Sequence, residues 1–297
     1  MSRKNRFLEL YRSGGLRNIT RGVWDWVLTT ELSKRIRAQA TRFGGESVWE
    51  RDWDVLCILD ACRVDLFQEV VGECSVMTSV GSTSRTWINR TFNNRNVDSV
   101  AYISGNPFAD QLEPDSFGYL HIERSRSTDY GVETIPPRAL SDRAIDVWRR
   151  RDELGVDKLI IHFMQPHAPF RSQPEWFERA RGTSSLSGNI WERLREGEFT
   201  YDEVWEAYAD NLEWAMTDGI APLTQNCEAT IALSADHANA IGEWAVYGHP
   251  LGCPISALRD VPWKVIDGVD KQTVDPTISD ETAEIDVEEQ LAALGYM

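Results

Sequence analysis

Three short, uninterrupted apolar runs limit most strongly what this chain can fold into. They are WDVLCILD at 53–60, KLIIHFM at 158–164, and Ile231, Ala232 and Leu233 within ATIALSADH. None alternates apolar with polar residues, so none can lie with one face in water. Each reads as a strand buried on both faces, the kind found inside a parallel sheet. Each also closes on polar groups: Asp60, Gln165-Pro166-His167, and Asp236-His237. In open α/β sheets the carboxyl edge of the strands is where ligands bind.

The intervening sequence supplies helices and further strands. Helical spacing occupies ACRVDLFQEVV after the first run and RTWINRTF after Gly81-Ser82-Thr83-Ser84. It recurs over 136–154 and over 201–217, where Val204, Tyr208, Leu212, Ala215 and Met216 form one apolar stripe. Shorter strands are expected at SVMTSV (75–80), DSVAYIS (98–104), 118–122 and 261–266. Strands alternating with helices predict an α/β fold, a mostly parallel central sheet with helices on both faces. A helical arm precedes it.

That arm, residues 1–50, alternates Arg3, Lys4, Arg6, Arg12, Arg17 and Arg21 with Phe7, Leu8, Leu10, Leu16, Trp24 and Trp26. Basic amphipathic helices of this kind suit peripheral contact with an anionic membrane surface, or packing on the protein's own acidic body. Residues 51–267 form the expected catalytic domain. Within it 170–200, rich in Gly, Ser, Arg and Glu, is expected to be an excursion or lid over the sheet edge. Residues 268–297 are a polar linker and an acidic C-terminal helix.

The net charge of −16, with only five lysines (Lys4, Lys34, Lys158, Lys264 and Lys271), suggests a salt-adapted, halophilic host. It argues against nucleic acid as a partner, since no dense basic patch lies outside the arm. Five cysteines without a CxxC pair point to a reducing interior. With neither a signal-peptide pattern nor an apolar run long enough to span a bilayer, the expected location is the cytoplasm, with membrane association through the arm.

The chemistry-bearing groups gather at the strand ends. Asp60, Ser82-Thr83-Ser84, His167 and Asp236-His237 fall on one expected edge, and a Gly-containing loop adds His249. Singly, each has an ordinary reading: Asp60 or Asp236 as a helix cap, the hydroxyls as an N-cap, His167 as a hydrogen-bonded loop residue and His237 as a surface residue. Together they offer acids, imidazoles and a hydroxyl at a helix start, a donor set for a transition metal with a nucleophile beside it.

CILDACRVD, LIIHFMQPHAPF and LSADHANAIGEWAVYGHP, in that order, resemble the alkaline phosphatase superfamily, and within it the sulfatase-like branch of arylsulfatases and phosphoethanolamine and phosphoglycerol transferases. The resemblance covers roughly residues 52–250, and the ending EEQLAALGY is similar to the terminal helix of many sulfatase-like proteins. It implies metal ligation by Asp60, Asp236, His237 and the nucleophile. It also implies contact of His167 with the transferred anion, and places His249 near the leaving group or a second metal. Arg85 would help to stabilise charge, and Arg63, with Asp65, would orient Asp60 from behind. Formylglycine sulfatases carry C/S-x-P-x-R, but here GSTSR puts Gly81 at the first position and lacks the proline. GSTS before a helix is closer to the Thr-nucleophile transferases, which makes Thr83 the candidate, with Ser82 and Ser84 as rivals. Ala61 replaces the second of the paired acids of calcium sulfatases, so Zn or Mn is expected rather than Ca. The implied activity is metal-dependent hydrolysis or transfer of phosphate or sulfate esters, on a small molecule, a glycan or a lipid headgroup. The alternatives are a sulfatase working without formylglycine and a non-catalytic binder of anionic glycans or lipid headgroups.

Overall fold

In the computed structural model, which describes residues 44–124, 127–177, 189–276 and 278, the apolar runs become the centre of one sheet. The strands are β1 (Val55–Asp60), β2 (Ser75–Thr78), β3 (Val97–Ser104), β4 (Phe117–Ile122), β5 (Lys158–Pro166) and β6 (Ala229–Ser234). A two-residue hairpin, β7 (Ala240–Ile241) and β8 (Tyr247–Gly248), stands apart, and β9 (Asp260–Gly268) returns to the sheet. The order across the seven strands is β2-β9-β6-β1-β5-β3-β4. β9 is antiparallel to both its neighbours and every other pairing is parallel, so six strands share a direction. All six residues of β1 are buried, which is possible only if both faces of the sheet are covered.

The helices are α1 (Val64–Val70), α2 (Ser84–Phe92), α3 (Pro137–Arg149), α4 (Ile190–Glu196), α5 (Tyr201–Trp214) and α6 (Ala221–Asn226), with single helical turns at Arg151–Leu154 and Ser256–Arg259. α5 begins in a reciprocal cap: Glu203 N–H donates to Thr200 Oγ1 at 3.3 Å, and Thr200 N–H donates to Glu203 Oε2 at 2.8 Å. Its stripe predicts helix to residue 217, but α-helix stops at Trp214 and a wider π turn spans Ala215–Ile220. Two residues account for the change. Pro222 has no N–H and its ring would crowd a straight helix. A side chain at Gly219 would sit 2.9 Å from the Phe163 ring, so this turn lies directly on β5.

Three further expectations need adjusting. The strand expected over 75–80 ends at Thr78, because Ser79 N–H turns to the Arg259 carbonyl at 2.6 Å and its hydroxyl to the Asp236 carbonyl. The excursion at 170–200 contains α4, whose Ile190, Trp191 and Leu194 are buried, and rings that pack closely, with Trp176 and Phe199 centroids 4.2 Å apart. Residues 178–188 of it lie outside the described residues. So do residues 1–43 of the arm and 279–297, which include the expected C-terminal helix. Beyond β9 the described chain has no regular secondary structure, and Arg149 ties it to α3 through Asp270 at 2.9 Å and the Val274 carbonyl at 2.9 Å. No helix among the described residues is long and apolar enough to cross a membrane.

Candidate active site

The strand order decides which side chains meet. β6, β1, β5 and β3 are consecutive neighbours and parallel, so their carboxyl ends lie side by side. Asp60 is the last residue of β1, Asp236 follows β6 by two residues, and Asn106 follows β3 by two. His162 points from within β5, four residues before its end.

All of these groups are fully buried. One ligand atom each from Asp60, His162 and Asp236 lies within 4.8 Å of the others. His162 Nε2 is 3.6 Å from Asp236 Oδ2 and 3.9 Å from Asp60 Oδ2. His237 Nε2 is 3.4 Å from Asp236 Oδ2 and 3.8 Å from Asp60 Oδ1. Asp60 Oδ1, Asp236 Oδ2 and His162 Nε2 nevertheless have no hydrogen-bond partner among the described residues. Buried, unsatisfied atoms of this polarity are costly, and here they face one another. Donors around a tetrahedral ion with bonds of about 2.0 Å are about 3.3 Å apart, close to these separations. Two carboxylates and two imidazoles suit Zn or Mn, whereas Ca favours six or more oxygens. The donor set fits a divalent transition metal.

The neighbours hold this set in place. Asn106 Nδ2 donates to Asp60 Oδ2 at 2.7 Å, and Asp236 Oδ1 accepts the amides of Ala61 at 3.0 Å and His237 at 2.8 Å. Tyr102 Oη and His162 Nδ1 are 2.9 Å apart. Burial, and then the charge of Asp236, push the Asp60 carboxyl well up. Burial would raise Asp236 as well, but His237, His162 and the Ala61 amide bring it below the usual carboxylate range. Burial thus favours the neutral form of Asp60, while its neighbours favour the charged form of Asp236.

Of the three hydroxyls after β2, Ser84 reaches the cluster: its Oγ is 3.2 Å from His237 Nε2 and 3.5 Å from Asp60 Oδ2. Thr83 caps α2, its Oγ1 accepting from Thr86 N–H at 3.3 Å and lying 2.9 Å from Thr86 Oγ1. Ser82 Oγ accepts from Gly252 N–H at 3.0 Å. Arg85 lies on the exposed side of α2. Arg63 pairs with Asp65 at 2.6 Å and Glu243 at 2.8 Å, and donates to the Asn239 carbonyl at 2.7 Å rather than to Asp60.

His167, His237 and His249 stand together, with ring centroids 4.7 Å apart for 237 and 249 and 5.2 Å for 167 and 249. Carbonyl oxygens accept from Nδ1 of His167 (Ala168, 2.6 Å) and of His237 (Ala238, 3.0 Å), so in both rings the proton is on Nδ1 and the lone pair on Nε2. Burial lowers all three pKa values, that of His167 to about 4, and mutual repulsion lowers His249 further. At neutral pH these imidazoles are uncharged, able to bind a cation or accept a proton.

Sequence reasoning missed His162, Asn106, Tyr102 and Asn239. For His162 the signal was present: an imidazole inside an otherwise apolar central strand has to find a polar partner. Asn106 and Tyr102 carry no local signal, because their role depends on β3 lying beside β5.

The fold and this edge cluster define an α/β protein with an acid–imidazole centre at the carboxyl ends of its central strands. No family model and no curated protein matches the sequence. Among solved structures the chain is similar to phosphoethanolamine transferases. One is the C-terminal periplasmic domain of EptC from Campylobacter jejuni, at 12% identity, covering 71% of this chain and 78% of that one, with a TM-score of 0.42. Another is the soluble domain of lipooligosaccharide phosphoethanolamine transferase A from Neisseria meningitidis, at 11% identity, 71% and 75% coverage and a TM-score of 0.41. A third is the C-terminal periplasmic domain of EptC from Escherichia coli in complex with Zn, at 8% identity, 77% coverage of each chain and a TM-score of 0.39. At these identities the likeness is one of architecture.

Proposed function

We propose that the protein is a metal-dependent hydrolase or transferase of phosphate or sulfate esters that works through a hydroxyl nucleophile. The observation that carries this reading is the meeting of unsatisfied Asp60, Asp236 and His162 atoms beside a serine hydroxyl at the start of a nine-residue helix. Asp60, Asp236, His162 and His237 would hold the ion, Zn or Mn by donor type. Bound there, it would lower the pKa of the hydroxyl and polarise the ester.

Ser84 is the nucleophile in this reading, since its Oγ lies among the donors, and Thr83 sets the helix start that aims it. Attack on phosphorus or sulfur expels the alcohol and leaves an ester on Ser84, which water or an acceptor alcohol then resolves. The first α2 amides face the developing negative charge. His167 and His249, neutral through burial, accept the proton of the incoming water or alcohol.

The test pairs metal analysis with ester turnover. Protein purified with Zn or Mn present should hold about one equivalent or more and cleave aryl phosphate or aryl sulfate. The preferred ester decides between phosphoryl and sulfuryl transfer. Asp236→Asn should lose both metal and turnover. A chain that takes up no metal and cleaves neither ester would refute the reading.

A further inference from the structure

The loop between β6 and β9 carries His249, and one buried side chain governs how that ring sits. Asn239, fully buried, has its Oδ1 2.6 Å from His249 Nδ1. The orientation of the amide follows from what lies behind it. The Tyr208 hydroxyl donates its proton to the Ala61 carbonyl, so its oxygen can only accept from Asn239 Nδ2, 3.5 Å away. That leaves Oδ1 facing the imidazole, and an amide oxygen only accepts. The His249 proton is therefore on Nδ1 and its lone pair on Nε2, the same tautomer as in His167 and His237.

The Asn239 backbone is fixed as well. Arg63, at the start of α1, donates to its carbonyl at 2.7 Å and pairs with Glu243 at 2.8 Å, while Glu243 Oε2 accepts the Ile241 amide at 2.7 Å. A buried guanidinium thus ties the loop, at Asn239 and Glu243, to the helix that follows Asp60. We infer that Asn239, anchored by Arg63, is a positioning residue that sets the tautomer and aim of His249. The residue after Asp60 is thereby linked to the proton acceptor on the far side of the cluster. The catalytic part of this inference rests on the function proposed above, but the tautomer does not.

The experiment uses the full chain with 15N-labelled histidine. The five histidines give five ring systems in a long-range 1H–15N spectrum, and His249 is assigned by its loss in His249→Gln. Wild type should show His249 protonated on Nδ1. Asn239→Ala should convert or mix that tautomer, and Asn239→Asp, which keeps an acceptor oxygen, should retain it. On aryl phosphate or aryl sulfate, whichever wild type cleaves, Asn239→Ala should lower kcat about 10- to 100-fold with little change in KM. Asn239→Asp should restore it. A wild-type His249 protonated on Nε2 overturns the inference whether or not any variant folds. So does an Asn239→Ala protein that keeps the Nδ1 proton, or one that changes tautomer with kcat unaltered. An inactive wild type strikes only the proposed function, and the tautomer comparison still decides the role of Asn239.

Discussion

The Ala61 amide donates to Asp236 Oδ1 at 3.0 Å, joining the residue after one acid of the cluster to the other acid. Ala61 can do this because its φ is 59°, the left-handed region, which turns its N–H toward Asp236 and its carbonyl toward Tyr208. The position at which the sequence has Ala61 in place of a second paired acid acts here through its backbone.

The first prediction follows from that turn. Left-handed backbone costs an L-residue about 1–2 kcal/mol, so Ala61→Gly relieves strain while adding unfolded-state freedom of similar size. Its stability should stay within about 1 kcal/mol of wild type. Ala61→Val puts a branched side chain into strained backbone at a site with no exposure. Urea unfolding should show a loss of about 2–4 kcal/mol, with weaker metal retention. An unchanged midpoint for valine would contradict the account of this turn.

The second prediction concerns the metal. Without a cation, unsatisfied carboxylate and imidazole atoms face one another in the core, so a divalent ion should bind the native chain and stabilise it. Relative to EDTA-treated protein, Zn or Mn at a hundred times its Kd should add about 2.7 kcal/mol, read as a higher Tm. His162→Phe should lose most of that gain. A His162 variant responding like wild type would leave this imidazole outside the donor set.

Much of this was readable from sequence, and the reason is the uniform burial of the central strands. A strand covered on both faces has to be apolar throughout, so Val55–Asp60 and Lys158–Pro166 announce themselves. Asp60 at the end of β1 and His167 just after β5, with Asp236 and His237 after β6, then mark the edge without reference to topology. What sequence could not supply was the lateral order of strands. Asn106 matters only because β3 lies beside β5, and His162 only because β1 and β6 bring acids to its side. Choosing among Ser82, Thr83 and Ser84 likewise needed the backbone at the start of α2: extended Thr83 turns its hydroxyl back onto the Thr86 amide, Ser82 faces Gly252, and Ser84, the first helical residue, reaches the cluster. The helix at Ile190–Glu196 was hidden by its short apolar pattern within a polar segment.

That arrangement yields the third prediction. Ser84→Ala should hold metal yet lose turnover of the aryl ester. Thr83→Ala should lose about 1 kcal/mol of stability from the missing cap and keep most of its turnover. The reverse pattern would transfer the nucleophile's role to Thr83.

The fourth prediction concerns Gly81. A Cβ there would lie 2.7 Å from the Trp87 amide nitrogen and 3.1 Å from the Thr83 carbonyl oxygen, both backbone atoms that cannot swing aside. The position that aligns with the formylglycine precursor therefore has no room for a side chain. Gly81→Ser should be destabilised by about 1–3 kcal/mol in thermal unfolding and gain no sulfatase activity. A stable Gly81→Ser protein would show that the loop relaxes more than its packing against α2 allows.

The last prediction is a pH dependence set by the buried histidines. Burial holds His167, His237 and His249 below the ordinary value of 6.5, His167 at about 4. The native state thus resists protonation, while the unfolded chain accepts it near pH 6.5. Between those values the unfolded state binds more protons, so stability is fully present above pH 6.5 and falls as the solution is acidified toward 4. For His167 alone the displacement corresponds to about 3 kcal/mol. Asp60 works the other way: its raised pKa favours the native state at low pH and is a burden once the carboxyl must ionise. EDTA-treated wild type should therefore lose Tm steadily from pH 6.5 to 4. His167→Gln, with no imidazole to charge, should lose less over the same range, and parallel curves for the two proteins would show that His167 is not held neutral by the fold.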